Sequence, residues 1–177
     1  MATFGRTNVQ GNRQVFLLVG EAQVGSQPWF RALLPVRPNG TMGFIPRSEL
    51  TLSQTPYHIT VSREQRRLTL WDRCRRARTY PVGIGTKYTP TPVGTFYLAS
   101  LLKPPGVDSV YGVYAYGLSG YSSVIRTWKW GGVIGLHGTN DPSSVGHYTS
   151  HGCIRMFNKD IEQLVRILPL GTPITIS

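Results

Sequence analysis

Apolar residues in this 177-residue chain fall in short runs separated by glycine, proline and asparagine, which is the spacing of strands and tight turns. Val15-Phe16-Leu17-Leu18-Val19 opens a first β segment, and Trp29 to Pro35 reads as a second. The turn Arg37-Pro38-Asn39-Gly40-Thr41 then leads into Met42-Gly43-Phe44-Ile45-Pro46. Ile59 to Val82 reads as a hairpin whose alternation turns Leu68 and Leu70 inward. Gly131-Gly132-Val133-Ile134-Gly135-Leu136 is a nearly unbroken apolar run, the mark of a buried strand, and it ends at His137. One stretch has helical spacing instead. From Lys159 to Leu168 the apolar positions are 161, 164, 165 and 168, with acids in the first turn, Arg166 in the last and Asn158 placed to cap the start.

The same pattern marks boundaries. Ser53-Gln54-Thr55-Pro56 reads as a linker, so residues 1–54 form a small N-terminal unit and 55–177 the main domain. The first dozen or so residues are polar and Gly/Asn-rich and are expected to be loosely held. Lys103 to Asp108 reads as a loop that Tyr111 to Gly117 continues; with Tyr121, Trp128 and Trp130 it concentrates aromatics ahead of His137. Such residues suit either a ligand groove or a core, and Tyr116 and Trp130 are taken as groove candidates.

At 40% apolar residues the chain can bury one sizeable core, and high Gly and Pro favour a mostly β fold. No run approaches the ~18 apolar residues of a membrane span. Met1 to Arg6 lacks the apolar core of a signal peptide. Two cysteines permit one disulfide, Cys74 to Cys153, which would consume the more reactive candidate of the two.

That candidate lies in Ser150-His151-Gly152-Cys153-Ile154-Arg155-Met156, sixteen residues beyond His137-Gly138. A thiolate can attack a carbonyl, an imidazole can move the proton, and backbone N–H groups can receive the oxyanion. His137, at the mouth of a buried strand, is the proton acceptor in this reading, oriented by the Gly138 carbonyl. An ordinary imidazole pKa near ~6.5 suits that role. The N–H groups of His151, Gly152 and Cys153 form the expected anion site, and a nearby imidazolium would depress the thiol pKa.

An apolar strand ending His-Gly, followed by Ser-His-Gly-Cys-Ile-Arg-Met and a helix, resembles the L,D-transpeptidases with a YkuD-type catalytic domain. Tyr57-His58-Ile59-Thr60-Val61 looks like that domain's opening strand, Thr89-Pro90-Thr91-Pro92-Val93-Gly94-Thr95-Phe96 like its Thr-Pro-x-Gly segment, and Gly171 to Ile176 like its closing strand. The resemblance covers about residues 57 to 177. It implies a β-sandwich or barrel catalytic domain with one short helix after the nucleophile; the N-terminal strands resemble a small SH3-like element.

Carried over residue by residue, the resemblance makes Cys153 the nucleophile and His137 the base. His151 and Gly152 shape the oxyanion site, and Arg155 holds the loop or meets a substrate carboxylate. Ser150 and His147 are expected at the substrate. The twelve-residue loop between His137 and Ser150 is at the short end for the family. The implied reaction joins a peptidoglycan donor stem to Cys153 as a thioester, releases a terminal D-residue, and passes the acyl group to an amine (a 3→3 cross-link) or to water (L,D-carboxypeptidase). It needs no metal or organic cofactor. It implies work outside the cytoplasmic membrane, so the chain is expected to be a trimmed piece of a secreted or anchored precursor, with Met1 an added start.

Net charge is +11, and seven of fifteen arginines fall between Arg63 and Arg78. The arginines are expected on the exposed face and turns of the Ile59–Val82 hairpin, not on a nucleic-acid surface, and could hold the enzyme to anionic wall polymers or an acidic membrane surface. Two rivals remain open on the residues alone. His137, His147, His151 and Cys153 are competent zinc ligands, although no metal-binding core spacing is present. A non-catalytic wall or nucleic-acid module would use the arginines and not the thiol.

Overall fold

The computed structural model describes residues 3–106, 108–127 and 129–177, with the backbone alone for Lys129 and Trp130. Three antiparallel strands form the N-terminal sheet: β1 (Leu17–Val24), β2 (Gln27–Leu33) and β3 (Met42–Pro46). The main domain adds β4 (Tyr57–Ser62), β5 (Arg67–Asp72), β6 (Arg75–Pro81), β7 (Ile84–Gly85), β8 (Gly94–Leu102), β9 (Ala115–Tyr121), β10 (Val133–His137), β11 (Tyr148–Ser150), β12 (Ile154–Arg155) and β13 (Pro173–Ile176). One α-helix is found among the described residues, α1 (Asn158–Val165). The fold is mostly β, with a curled eight-stranded sheet in the order β12-β10-β9-β8-β13-β4-β5-β6 and a two-stranded β11-β7 sheet beside it.

Alternation explains the middle of the large sheet. Ile59 pairs with Leu70 and Val61 with Leu68, and all four side chains are buried. β13 closes the sheet by running parallel to β4, Ile174 opposite Ile59 and Ile176 opposite Val61, and antiparallel to β8. α1 lays Ile161 and Leu164 on the same core, as its helical spacing predicts. The loop expected over Tyr111 to Gly117 ends early: Ala115 to Gly117 already belong to strand β9, every residue of which is at least half-buried. A central strand covered on both faces shows no alternation, so period-2 patterning cannot reveal it.

The described part of this N-terminal stretch is not loosely held. A bridge joins Thr7 to Arg13, and Asn8 Oδ1 accepts from the backbone N–H groups of Gln10 and Asn12. Two asparagine amides then act as miniature strands. Asn12 makes both hydrogen bonds to the backbone of Leu101, at 2.8 and 3.2 Å, on β8 beyond the reach of β13. Asn39 does the same for Tyr121 at the end of β9, at 2.8 and 2.9 Å. Arg37 donates to the carbonyls of Ser122, Ile125 and Gly131 and covers the Tyr121 ring. The N-terminal sheet is thereby fastened to the segment that leads into β10. Residues 51–55 carry no regular secondary structure.

Leu68 is fully buried and belongs to the half of the sheet remote from the β10–β12 pair. Leu68→Ala is expected to lower the unfolding free energy by about 2–5 kcal/mol in a urea titration, leaving the reactivity of the folded chain's thiol unchanged.

Candidate active site

His137 ends β10, and Cys153 immediately precedes β12, which runs parallel beside β10. The register sets Leu136 opposite Ile154 and His137 opposite Arg155. Sixteen residues of chain thus return the thiol to the strand that carries the imidazole. The Gly135 N–H donates to Cys153 Sγ at 3.3 Å. A Cβ at position 135 would lie 3.6 Å from that sulfur and 3.2 Å from His137 Cδ2. The glycine therefore leaves a shared space into which the thiol and the Cδ2 edge of the imidazole both face.

His137 Nδ1 lies 2.5 Å from the Gly138 carbonyl oxygen. A carbonyl only accepts, so Nδ1 carries the proton and Nε2, next to Cδ2, keeps its lone pair for the substrate side. The imidazole is 3% exposed. Burial lowers its pKa to about 4; the Gly138 bond opposes that shift and the Arg155 charge adds to it. Burial likewise pushes the Cys153 thiol up, while the Gly135 N–H and Arg155 pull it down. The resting pair is a neutral thiol beside a neutral imidazole. This corrects the expected imidazolium: here Gly135 and Arg155, not a charged histidine, favour the thiolate.

The turn before Cys153 is closed from within. Ser150 is buried; its hydroxyl donates to the Cys153 carbonyl at 2.6 Å and accepts from the Gly152 N–H at 3.1 Å. Its carbonyl accepts from Thr86 N–H and Thr89 Oγ1, which fastens the turn to the Thr-Pro-rich loop. Ser150 thus shapes the turn, and the expectation that it touches substrate is corrected. The Gly152 N–H is already committed and cannot serve an oxyanion. Gly152 has φ +112, and a Cβ there would press on Ile134 Cδ1 at 3.0 Å, so the position requires glycine. The Cys153 N–H has no acceptor among the described residues.

Arg155 is half-buried, with its backbone paired both ways to Gly83. Its Nε is buried without a hydrogen-bond partner, a group that an anionic substrate would satisfy. Tyr116 does not reach the site: it is fully buried and its hydroxyl donates to the Leu168 carbonyl, so its groove assignment is withdrawn. His147 is exposed, its carbonyl accepting from Ile84 N–H, and His151 is exposed on the turn itself. The Trp130 side chain and Trp128 lie outside the described residues. Both cysteines are free, Cys74 exposed in the β5–β6 turn. Among the described residues no three His, Cys, Asp or Glu side chains gather as a metal site would require. No helix among them is long and apolar enough to cross a membrane.

Two contributors escaped the sequence reading. Tyr111 sets its ring edge against His137, centroids 5.1 Å apart and 77° between planes. Its hydroxyl is pushed up by burial and by the neighbouring Cys153. Only its place in an aromatic-rich stretch hinted at it. Asn158, expected to cap α1, makes no cap; Phe157 is the capping residue. Asn158 Oδ1 instead accepts from Thr139 N–H at 3.0 Å and Val113 N–H at 3.4 Å. It sits where a Cβ on Gly112 or Gly138 would fall, 2.1 and 2.2 Å away. Those glycines were the available signal, since each admits the amide that holds the turn behind His137.

Asn158→Leu is expected to leave the Thr139 N–H unsatisfied, costing about 1–3 kcal/mol in denaturant unfolding. By loosening the turn that bears the Gly138 carbonyl, it should also slow thiol acylation on the order of 10²-fold. A second outcome concerns pH. The unfolded imidazole titrates near ~6.5 and the folded one near 4, so the folded chain binds fewer protons between these values. Stability from this group is therefore full above pH ~6.5 and falls as pH drops towards 4, by about 3 kcal/mol at the foot of the window. Urea titrations across that range should show this loss in the wild type and not in His137→Gln.

The family model of the L,D-transpeptidase catalytic domain, YkuD, matches residues 56–176. A Bacillus subtilis protein named putative L,D-transpeptidase YkuD is 41% identical over 122 residues, 69% of this chain and 66% of that protein. The Bacillus licheniformis protein of the same name is 39% identical over the same shares. The chain thus spans 66% of the length of these curated relatives. Among solved structures, Bdellovibrio bacteriovorus Bd1075 is 33% identical, with a TM-score of 0.55 over 70% of this chain and 47% of that one. An L,D-transpeptidase from Mycobacterium smegmatis shares the fold over 92% of this chain and 99% of that one, at a TM-score of 0.56 and 14% identity. LdtMt1, solved in complex with imipenem, has a TM-score of 0.55 and 16% identity over 93% of this chain and 82% of that one. A matched span that begins at the linker, together with a free thiol facing a tautomer-fixed imidazole, leads to one assignment: the chain belongs to the L,D-transpeptidase family with a YkuD-type catalytic domain.

Proposed function

We propose that the chain is a cysteine acyltransferase of peptidoglycan, acting outside the cytoplasmic membrane, that joins two peptide stems through a 3→3 cross-link. The observation that carries the reading is the space over Gly135, shared by Cys153 Sγ and the edge of a His137 ring whose Nδ1 is tied to Gly138. As the sulfur attacks the carbonyl between an L-centre and a terminal D-residue, Nε2 takes the thiol proton. The S–C bond forms and the carbonyl oxygen becomes an oxyanion, to which the Cys153 N–H donates in this reading.

Collapse of that intermediate breaks the C–N bond, and the imidazolium returns its proton to the departing amine. A second stem's amine then attacks the thioester, passes a proton to Nε2, and the thiolate regains it as it leaves. Arg155, with its unpartnered Nε, suits the carboxylate of the terminal D-residue and favours the thiolate through its charge. A neutral base fits this cycle, because the proton moves only as the bond forms.

The decisive measurement is intact mass after exposure to a carbapenem. Wild type and Cys74→Ala should each gain one covalent adduct, and Cys153→Ala none. His137→Ala should slow adduct formation on the order of 10²-fold or more. Incubation with a purified tetrapeptide stem should then yield a dimer lacking one D-residue; a shortened monomer alone would assign water as the acceptor.

A further inference from the structure

The arginine cluster lies away from the site chemistry. Between Tyr57 and Lys87 the chain carries seven arginines and one lysine against two carboxylates, Glu64 and Asp72. β6 is the outermost strand of the eight-stranded sheet, and Arg75, Arg76 and Arg78 on it are exposed, as are Arg67 and Arg73. Arg66 and Arg73 occupy the turns at the two ends of β5, six residues or roughly 20 Å apart. Both are left-handed, with φ 49 and 53. That conformation favours glycine and asparagine, so a cation is kept at each turn against the backbone preference.

At the β7 end the band continues. Arg66 covers the Tyr148 ring and Lys87 the Tyr88 ring. Arg63 and Lys87 line a groove of about 740 Å³ that Tyr88 and Tyr148 border. The band thus leads from the free edge of the sheet towards β11, the strand that ends in Ser150 of the nucleophile turn.

We propose that the β5–β6 hairpin is a docking surface for an extended, base-free phosphodiester polymer. Guanidinium groups pair with phosphate through two parallel hydrogen bonds, and a row of them along a strand suits a repeating anion. A lipid surface is the poorer fit. No exposed large hydrophobic residue lies between Leu52 and Tyr88 to enter a bilayer. A nucleic acid fits less well: on the hairpin Trp71 is stacked on His58 and Tyr80 is buried, and of the exposed rings at the β7 end Tyr148 is covered by Arg66 and Tyr88 by Lys87. The docking surface is separate from the acyl-transfer reading and its test needs no turnover.

The test titrates the full chain with lipid-free polyglycerol phosphate at about 0.05 to 0.2 M salt. Saturable binding is expected, with log affinity falling linearly against log salt. In Arg66→Asn/Arg73→Asn/Arg75→Gln/Arg76→Gln the affinity should drop on the order of tenfold or more, and the salt slope should shrink by roughly one per arginine removed. The melting temperature should hold or rise, since asparagine accepts the left-handed turns, and the carbapenem adduct should form as in the wild type. Absence of binding, or equal binding by the fourfold variant, overturns the proposal. So does tighter binding to phosphatidylglycerol vesicles or to duplex DNA of matched charge, which would reassign the surface to a lipid or a nucleic acid.

Discussion

Two residues of parallel pairing, Leu136 with Ile154 and His137 with Arg155, hold the chemistry of this molecule together. Without that register the thiol and the imidazole would be separate features of separate loops. With it, the sulfur sits over a glycine of the neighbouring strand and receives that strand's N–H. The pairing is short, so its support comes from around it. Ser150 closes the turn, the Thr86–Thr91 loop donates to the Ser150 carbonyl, and Ile134, Leu136, Ile154 and Met156 are buried together beneath. A few hydrogen bonds worth about 1 kcal/mol each set direction, while burial of the apolar side chains supplies most of the stability.

Burial has a second consequence. The same enclosure that positions His137 and Cys153 keeps both uncharged, because removing either ion from water costs more than the available partners return. The site is thus poised as a neutral acid and a neutral base, with charge appearing only as a bond forms. Arg155 lowers the proton affinity of both groups, favouring the thiolate and opposing the imidazolium.

Support for the imidazole reaches outward by steps. Gly138 fixes the tautomer, Asn158 on the first turn of α1 holds Thr139 and Val113, and glycines at 112 and 138 make room for its amide. On the other flank, Arg37 and Asn39 of the N-terminal sheet bind the segment that enters β10. The N-terminal unit is therefore part of the frame around the site.

Much of this could be read from the residues. Alternation turned Leu68 and Leu70 inward, although the Ile59–Val82 stretch read as one hairpin is the three strands β4, β5 and β6; helical spacing gave α1, and the Ser-His-Gly-Cys motif with an upstream His-Gly marked the thiol and imidazole that the fold brings to neighbouring strands. Those features are local: a side chain's spacing states which face it takes, and a motif states which atoms are available. What the residues alone did not determine depends on contacts distant in sequence. Tyr116 turned inward while Tyr111 met the imidazole, because β9 is buried on both faces and carries no periodic signal. Asn158 left the helix cap for a turn nineteen residues earlier. Ser150 and Gly152 consumed each other's hydrogen bonds within the turn, and the histidine lost its ordinary pKa. Register between strands that are not neighbours in the chain, and the desolvation that follows from it, are sums over many packed atoms, and they exist only once the sheet has closed.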